Sequence, residues 1–159
     1  MNATRPPRGA APVGHLTELT GIEAAAVIYL RLWCEGPHKQ IEVWSDFRRT
    51  LGSHRAEHAC QAFQELCSIC CTKGRRPLMR HSIECRCLGG DEACFANLVA
   101  TAAEGEREDA LLMATLIVEP SVAQPLTTLA TQVGLAFKQM QLSSPAGLAE
   151  ERPRLVTLH

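Results

Sequence analysis

The spacing of apolar residues is the feature of this sequence that most constrains its fold. Through most of the chain, apolar residues recur at intervals of three and four, and glycine or proline separates one such stretch from the next. This spacing places apolar side chains along one face of an α-helix. A chain of 159 residues is also long enough to bury a hydrophobic core without disulfides or metal. The sequence therefore predicts an all-α fold, a single-domain bundle of about six helices.

Local signals predict where these helices begin. Thr20 and Glu23 have the spacing of a capping box before the first helix, and Ser53 and Asp91 are predicted to cap the third and fourth helices. Residues 110–118 are so apolar that we expect the fifth helix to lie at the centre of the bundle. The last helix has an apolar stripe suited to pairing with another helix, formed by Val122, Leu126, Leu129, Val133, Phe137 and Met140.

The helical domain is predicted to cover residues 16–142. Residues 1–15 and 143–159 contain several prolines and glycines and lack helical periodicity. We therefore expect a disordered N-terminal tail over 1–15 and a C-terminal tail over 143–159.

Cysteine is concentrated in one part of the chain, around a loop predicted between the third and fourth helices. Seven of the eight cysteines lie between residues 60 and 94. Two pairs, Cys67 with Cys70 and Cys85 with Cys87, offer thiolates of the kind that bind zinc or an iron–sulfur cluster. These four residues are the predicted metal ligands. Three residues are possible substitutes for one of them: His81, Cys71 and Cys94.

A second interpretation needs no metal. On a helical wheel, Cys60, Cys67 and Cys71 fall on the same apolar stripe of the third helix. Cysteine is a small apolar residue that is often buried in this way. Cys34 stands apart from the others in the sequence and is interpreted as a core or surface residue. A thiol switch without metal is a third possibility.

Charge is distributed unevenly along the chain, although the formal net charge is only −1. Residues 47–90 contain eight Lys and Arg but three Asp and Glu, whereas residues 91–119 contain seven acids and one arginine. The predicted partner-binding residues lie in the cysteine-rich stretch and are Arg75, Arg76, Arg80 and Arg86. No aromatic residues alternate with them, so a protein partner is favoured over nucleic acid.

No motif identifies a reaction. The stretch from His54 to His58 fits an H-x-x-E-H zinc-protease pattern, but the chain is short for such an enzyme, and a solvated helix face is the favoured interpretation. An enzyme is thus less favoured than a binding protein. No apolar run is long enough for a membrane span, and no secretory signal is recognised, so we expect a cytoplasmic protein.

One part of the chain resembles known sequences. The segments RPLMRH, ECRCLGGDEACFANLV and GEREDA, within residues 76–110, resemble short helical proteins of alphaproteobacteria that have no known function. The resemblance implies a bacterial, cytoplasmic setting and assigns no site residue.

These observations lead to one functional hypothesis with two alternatives. The first is a small regulatory or adaptor protein whose zinc or iron–sulfur site orders a basic loop for a protein partner. The second is a metal-free helical interaction module whose cysteines pack in the core. Such a module could form a homodimer through its last helix. The third is a thiol-dependent enzyme or redox switch.

Overall fold

The structure is a computed structural model that describes residues 8–143. Six helices form the bundle, as the sequence predicts: α1 (Gly21–Glu35), α2 (Pro37–Leu51), α3 (Ser53–Thr72), α4 (Gly90–Ala103), α5 (Arg107–Ile117) and α6 (Pro120–Ser143). Two short strands, β1 (Pro12–His15) and β2 (Cys87–Gly89), form a small antiparallel sheet on the bundle. The predicted C-terminal tail lies outside the described residues except for Ser143, the last residue of α6.

One of the three predicted helix starts has the expected cap. The capping box of α1 is confirmed, because the Glu23 amide donates to Thr20 Oγ1 and the Thr20 amide donates to the Glu23 carboxylate. Two predicted N-caps are wrong. Gly52, with a φ of 80° that favours glycine, precedes α3 in place of Ser53. Asp91 lies in the first turn of α4, and its carboxylate accepts hydrogen bonds from Arg76 and the Met79 amide.

Aromatic rings fill the centre of the bundle. Phe47, Phe63 and Phe137 are at most 1% exposed. Their centroids lie 6.0 to 6.3 Å apart, and Tyr29 packs against Phe47 and Phe137 at 5.3 and 5.5 Å. These residues come from α1, α2, α3 and α6. One aromatic core therefore joins the helices on either side of the cysteine-rich stretch.

The central position predicted for the fifth helix is wrong. α4 packs against α1, α5 and α6, whereas α5 lies at the edge against α4 and α6. α5 buries its small residues Ala110 and Ala114, while Leu112 and Leu116 face outward. At the contact of α4 with α6, a Cβ on Gly134 would lie 2.6 Å from the Cβ of Ala103. Glycine thus permits the close packing that makes α4 central.

The apolar stripe predicted for the last helix is used within the bundle. Leu126, Val133, Phe137 and Met140 are buried in the core. They therefore do not form a free surface for the predicted dimer. Within residues 8–143, no helix has the length and apolar character needed to cross a membrane.

The prediction of an N-terminal tail over residues 1–15 is wrong for residues 8–15. Arg8–Ala10 form a short 3₁₀ helix, and β1 pairs with β2 so that Gly14 faces Leu88 and His15 faces Cys87. The lack of helical periodicity correctly indicates that this segment is not an α-helix. The segment is nevertheless ordered, because it pairs with the loop before α4. Residues 1–7 lie outside the described part of the chain.

Candidate functional site

The loop between α3 and α4 is held by an arginine from α1. We call residues 74–89 the cysteine loop. Arg31 is 1% exposed, and its Nε and Nη2 groups donate to the two oxygens of Glu92 at 2.6 and 2.9 Å. Three carbonyl oxygens of the loop accept its other hydrogen bonds: Ser82 at 3.0 Å, Cys85 at 2.6 Å and Cys87 at 2.8 Å. All five N–H groups of the guanidinium are therefore used.

These hydrogen bonds compensate the buried charge of Arg31, and they also order the cysteine loop. A buried ion pair costs desolvation energy, which is repaid only when geometry and additional hydrogen bonds are good. Glu92 is 0% exposed and also accepts a hydrogen bond from the Gly89 amide at 3.0 Å. Its place in the first turn of α4 further favours a carboxylate, because helix N-termini carry partial positive charge. The Arg31–Glu92 pair therefore fixes the loop where the sequence predicted that a metal would.

A second carboxylate holds the middle of the cysteine loop. Asp91 accepts two hydrogen bonds from Arg76, at 2.8 and 2.6 Å, and one from the Met79 amide at 2.7 Å. Gly9 packs directly on this pair, and a Cβ there would overlap Asp91 and Arg76. Glycine at residue 9 is thus required by close approach.

The N-terminal segment completes the site. The Leu16 amide donates to the carbonyl oxygen of Arg86, and the Gly90 amide donates to that of Ala11. His81 of the cysteine loop is bonded through Nε2 to the carbonyl oxygen of Ala10 at 2.9 Å. The loop is therefore held by α1 and α4 and also by residues 8–16.

The structure does not assemble the predicted metal ligands. Cys67 and Cys70 are buried in the core, whereas Cys85 and Cys87 are half-buried in the loop. Of the predicted substitutes, His81 and Cys94 are half-buried and Cys71 is exposed. In the part of the chain that the structure describes, no three His, Cys, Asp or Glu side chains form a possible ligand group.

The helical cysteines also lie in apolar surroundings. Burial raises the pKa of Cys70 to about 12 and that of Cys67 well above its usual value, and nearby cysteines add to both shifts. Metals bind the thiolate, so these surroundings oppose the required form. Cys60 and Cys67 have the core positions of the metal-free interpretation, and Cys70 is buried as well. Cys71, which the wheel placed on the same stripe, is exposed.

Sequence reasoning missed the surroundings of Cys34. Its pKa is raised by burial and by the proximity of Cys71, while the nearby guanidinium of Arg80 opposes the increase. Arg80 also donates to the carbonyl oxygen of Cys34 at 3.0 Å. The residue that the sequence set apart therefore belongs with the cysteines at the end of α3.

Three of the four predicted partner-binding arginines make bonds within the protein. Arg76 binds Asp91, Arg80 binds the end of α1, and Arg75 Nε donates to the carbonyl oxygen of Thr115 at 2.6 Å. Arg86 is exposed and is the one of the four whose guanidinium is not bonded to the described residues. A broad basic surface on the cysteine loop is therefore not formed by these four side chains.

The acidic part of the sequence forms a different surface. A groove of about 490 Å³ runs along α5. Leu112 and Leu116 in its wall are 66% and 69% exposed. Glu104, Glu106 and Asp109 line the same groove. We call it the α5 groove. The sequence predicted an exposed position for these acids but a central one for the helix that carries Leu116.

A second groove lies between α3 and α6. His54 and His58 line it with their ring centroids 4.9 Å apart, together with Glu65 and Leu135. No third metal ligand accompanies the two histidines among residues 8–143. The favoured interpretation of H-x-x-E-H as an exposed helix face agrees with the exposure of both rings.

A scan against protein-family models finds no match, and neither a curated protein nor a solved structure matches the chain. The functional argument consequently depends on the geometry of the cysteine loop and of the two grooves.

Proposed function

We propose that this protein is a helical interaction module that binds a basic amphipathic helix of a partner protein in the α5 groove. The supporting observation is the pair of outward-facing leucines, Leu112 and Leu116, one helical turn apart beside an acidic rim. Apolar side chains this exposed and adjacent are costly to leave in water and are typical of binding surfaces.

The form of the surface indicates the form of its partner. Residues four apart on a helix lie on one face, so Leu112 and Leu116 make a short apolar ridge. Met113 and Thr101 add further lining to the groove. Such surfaces accept the apolar face of a helix, whose anchors recur every three or four residues.

The charge of the rim favours a cationic partner. Glu104, Glu106 and Asp109 are exposed at the groove, and Glu108 lies beside them in the sequence. Lys and Arg on the polar face of a docked helix would be attracted by these carboxylates. A second copy of this chain bound through the same face would place acid against acid, which disfavours a homodimer here.

This proposal retains the adaptor hypothesis but gives the metal no necessary part. The cysteine loop already has donors and acceptors from Arg31, Asp91 and Glu92. It also moves the expected contact from the loop arginines to α5, since Arg75, Arg76 and Arg80 are engaged within the protein.

A model peptide tests the proposal. The probe is a fluorescent helical peptide of about 16 residues with leucine on one face and lysine on the other. We expect it to bind the protein, and we expect a peptide with glutamate in place of lysine not to bind. Fluorescence anisotropy at increasing salt gives both affinities, and binding of the lysine peptide should weaken with salt.

Matched variants locate the binding surface. The double variant Leu112→Gln/Leu116→Gln should lower the affinity about tenfold or more, because exposed apolar anchors dominate such interfaces. Ile41→Gln is the control, since Ile41 is 64% exposed on α2, away from the groove. Equal affinity in all three proteins, or a dimer in sedimentation that the double variant abolishes, would contradict the proposal.

A further inference from the structure

Cys85 differs from the other cysteines because its thiol lies within hydrogen-bond distance of a histidine ring nitrogen. Its Sγ lies 3.7 Å from Nδ1 of His81, within the range of a hydrogen bond to sulfur. The two residues are one turn apart in the cysteine loop. The Cys85 amide also donates to the carbonyl oxygen of Ser82 at 3.0 Å. The backbone from Ser82 to Cys85 therefore forms a tight turn, which brings the thiol close to the ring.

The second nitrogen of the histidine defines the direction of the hydrogen bond. Nε2 of His81 lies 2.9 Å from the carbonyl oxygen of Ala10, which can only accept. Nε2 must therefore carry a proton. In the neutral ring, Nδ1 then has the free lone pair and accepts the proton of the Cys85 thiol.

Activation of a thiol nucleophile requires an adjacent base and a third group that orients the base. Here the nucleophile, the base and the orienting group are Cys85, His81 and the carbonyl group of Ala10. The ring also lies close against Gly89, where a Cβ would be 3.0 Å from Nε2 and Cδ2 of His81. Arg31 fixes the backbone of Cys85 through its carbonyl oxygen at 2.6 Å. The pair is thus preorganised on both sides.

The remaining cysteines lack this arrangement. Burial raises the pKa values of Cys34, Cys60, Cys67, Cys70 and Cys94. Of the rest, Cys71 is exposed and Cys87 is half-buried. Neither has an imidazole within hydrogen-bond distance in the described part of the chain.

We propose that Cys85 is a nucleophilic thiol, with His81 as its base, that a hydroperoxide oxidises to a sulfenic acid. A small reagent is favoured because the Cys85 side chain is half-buried. The site is separate from the proposed docking surface, so this inference does not depend on the proposed function.

The step balances in atoms and electrons. His81 Nδ1 takes the thiol proton, and the Cys85 sulfur attacks the nearer oxygen of the hydroperoxide. The O–O bond breaks, an S–O bond forms, and the leaving oxygen receives the proton from the imidazolium. With hydrogen peroxide the products are Cys85 sulfenic acid and water; sulfur loses two electrons and the peroxide gains them.

Site-resolved trapping tests the inference. The protein is treated with a chelator, exposed to limiting hydrogen peroxide in the presence of dimedone, and digested for mass spectrometry of each cysteine. Cys71 is the internal reference because it is exposed and has no histidine partner among residues 8–143. We expect Cys85 to be trapped about a hundredfold faster than Cys71, the lower range of general-base assistance.

The variant His81→Gln separates the base from the support of the loop. Glutamine retains a donor that can reach the carbonyl oxygen of Ala10 but offers no base to the thiol. The trapping rate at Cys85 should fall to that at Cys71, while the rate at Cys71 and the hydrogen exchange of the loop remain unchanged. Equal rates at Cys85 and Cys71 in the wild-type protein would overturn the proposal, even if the variant does not fold. An unchanged Cys85 rate in a folded His81→Gln variant would also overturn it.

The chelator distinguishes this site from a metal site. If the proposal is correct, Cys85 reacts at the same rate with and without chelation. Reactivity that appears only after chelation would assign the thiol to a metal ion and contradict its role as a free nucleophile.

Discussion

The aromatic core and the cysteine loop are stabilised in opposite ways. The core packs four rings from four helices, and its contacts are apolar and without direction. The loop depends on one guanidinium that makes five directed hydrogen bonds, including two to a carboxylate 61 residues away in the sequence. The core tolerates exchange of one apolar side chain for another of similar volume, whereas the loop requires a particular group in a particular place.

This difference matters because the two regions meet in α1. Tyr29 packs in the aromatic core, and Arg31, two residues later, is buried under the loop. A single helix therefore couples the apolar centre of the bundle to the hydrogen bonds that Arg31 makes with Glu92 and the cysteine loop. We call this group of hydrogen bonds, with those that residues 8–16 make to the loop, the polar junction.

Loss of a core ring should have the largest effect. Phe63→Ala removes a fully buried ring that contacts Trp33, Phe47 and Phe137, and leaves a cavity. We expect the free energy of unfolding to fall by about 3–5 kcal/mol. Urea denaturation followed by circular dichroism measures this change. A loss below about 1 kcal/mol would mean that the aromatic cluster is not the centre of stability.

Loss of the buried arginine should lower the free energy of unfolding by a similar amount. Unlike loss of the ring, it should affect the cysteine loop most. Arg31→Met leaves the buried Glu92 carboxylate without its cationic partner and removes the donors to three loop carbonyl groups. The free energy of unfolding should fall by about 3–5 kcal/mol. The cysteine loop should become the preferred site of limited proteolysis in this variant, and not in Phe63→Ala.

The matched control is an arginine in a surface ion pair. Arg49 binds Asp46 at 2.6 Å but is 66% exposed. Arg49→Met should change the free energy of unfolding by about 0–1 kcal/mol. Similar losses for Arg31→Met and Arg49→Met would show that burial gives the first pair no special importance.

A further small effect is an alkaline loss of stability from the buried thiols. The pKa of Cys70 is about 12 in the folded protein and close to 9 when the chain unfolds. Between these values the unfolded state loses a proton that the folded state keeps, so stability falls as pH rises through this range. At pH 10 we expect a loss of about 1 kcal/mol from this group relative to pH 8. Cys70→Ala should have a shallower decline in urea denaturation over the same range; an equally steep decline would contradict the assignment.

The bundle could be predicted from the sequence because its signals are local. Helical spacing and the capping box at Thr20 and Glu23 are properties of neighbouring residues, and the structure confirms them. The error at α5 has a physical reason. Its alanines and its leucines are both apolar, so composition could not show that the small residues face inward.

The polar junction could not be predicted in the same way. Its bonds join α1, the loop, α4 and residues 8–16, which are far apart in sequence. One signal was present: Arg31 is the only charged residue within the apolar run from Ala24 to Cys34. A charge in such a run requires a buried partner, but periodicity does not say that the partner is Glu92. The concentration of cysteines indicated the loop in which the candidate site lies. The role of these cysteines as metal ligands stays a prediction.

The most direct test of the account is hydrogen exchange of the cysteine loop measured by mass spectrometry. Three samples are compared: the wild-type protein, the same protein with a strong chelator, and Arg31→Met. The account predicts that chelation leaves exchange over residues 74–89 unchanged, and that Arg31→Met accelerates it more than exchange in α3 and α6. Faster loop exchange on chelation, with no change in Arg31→Met, would show that a metal ion and not the buried arginine holds the loop.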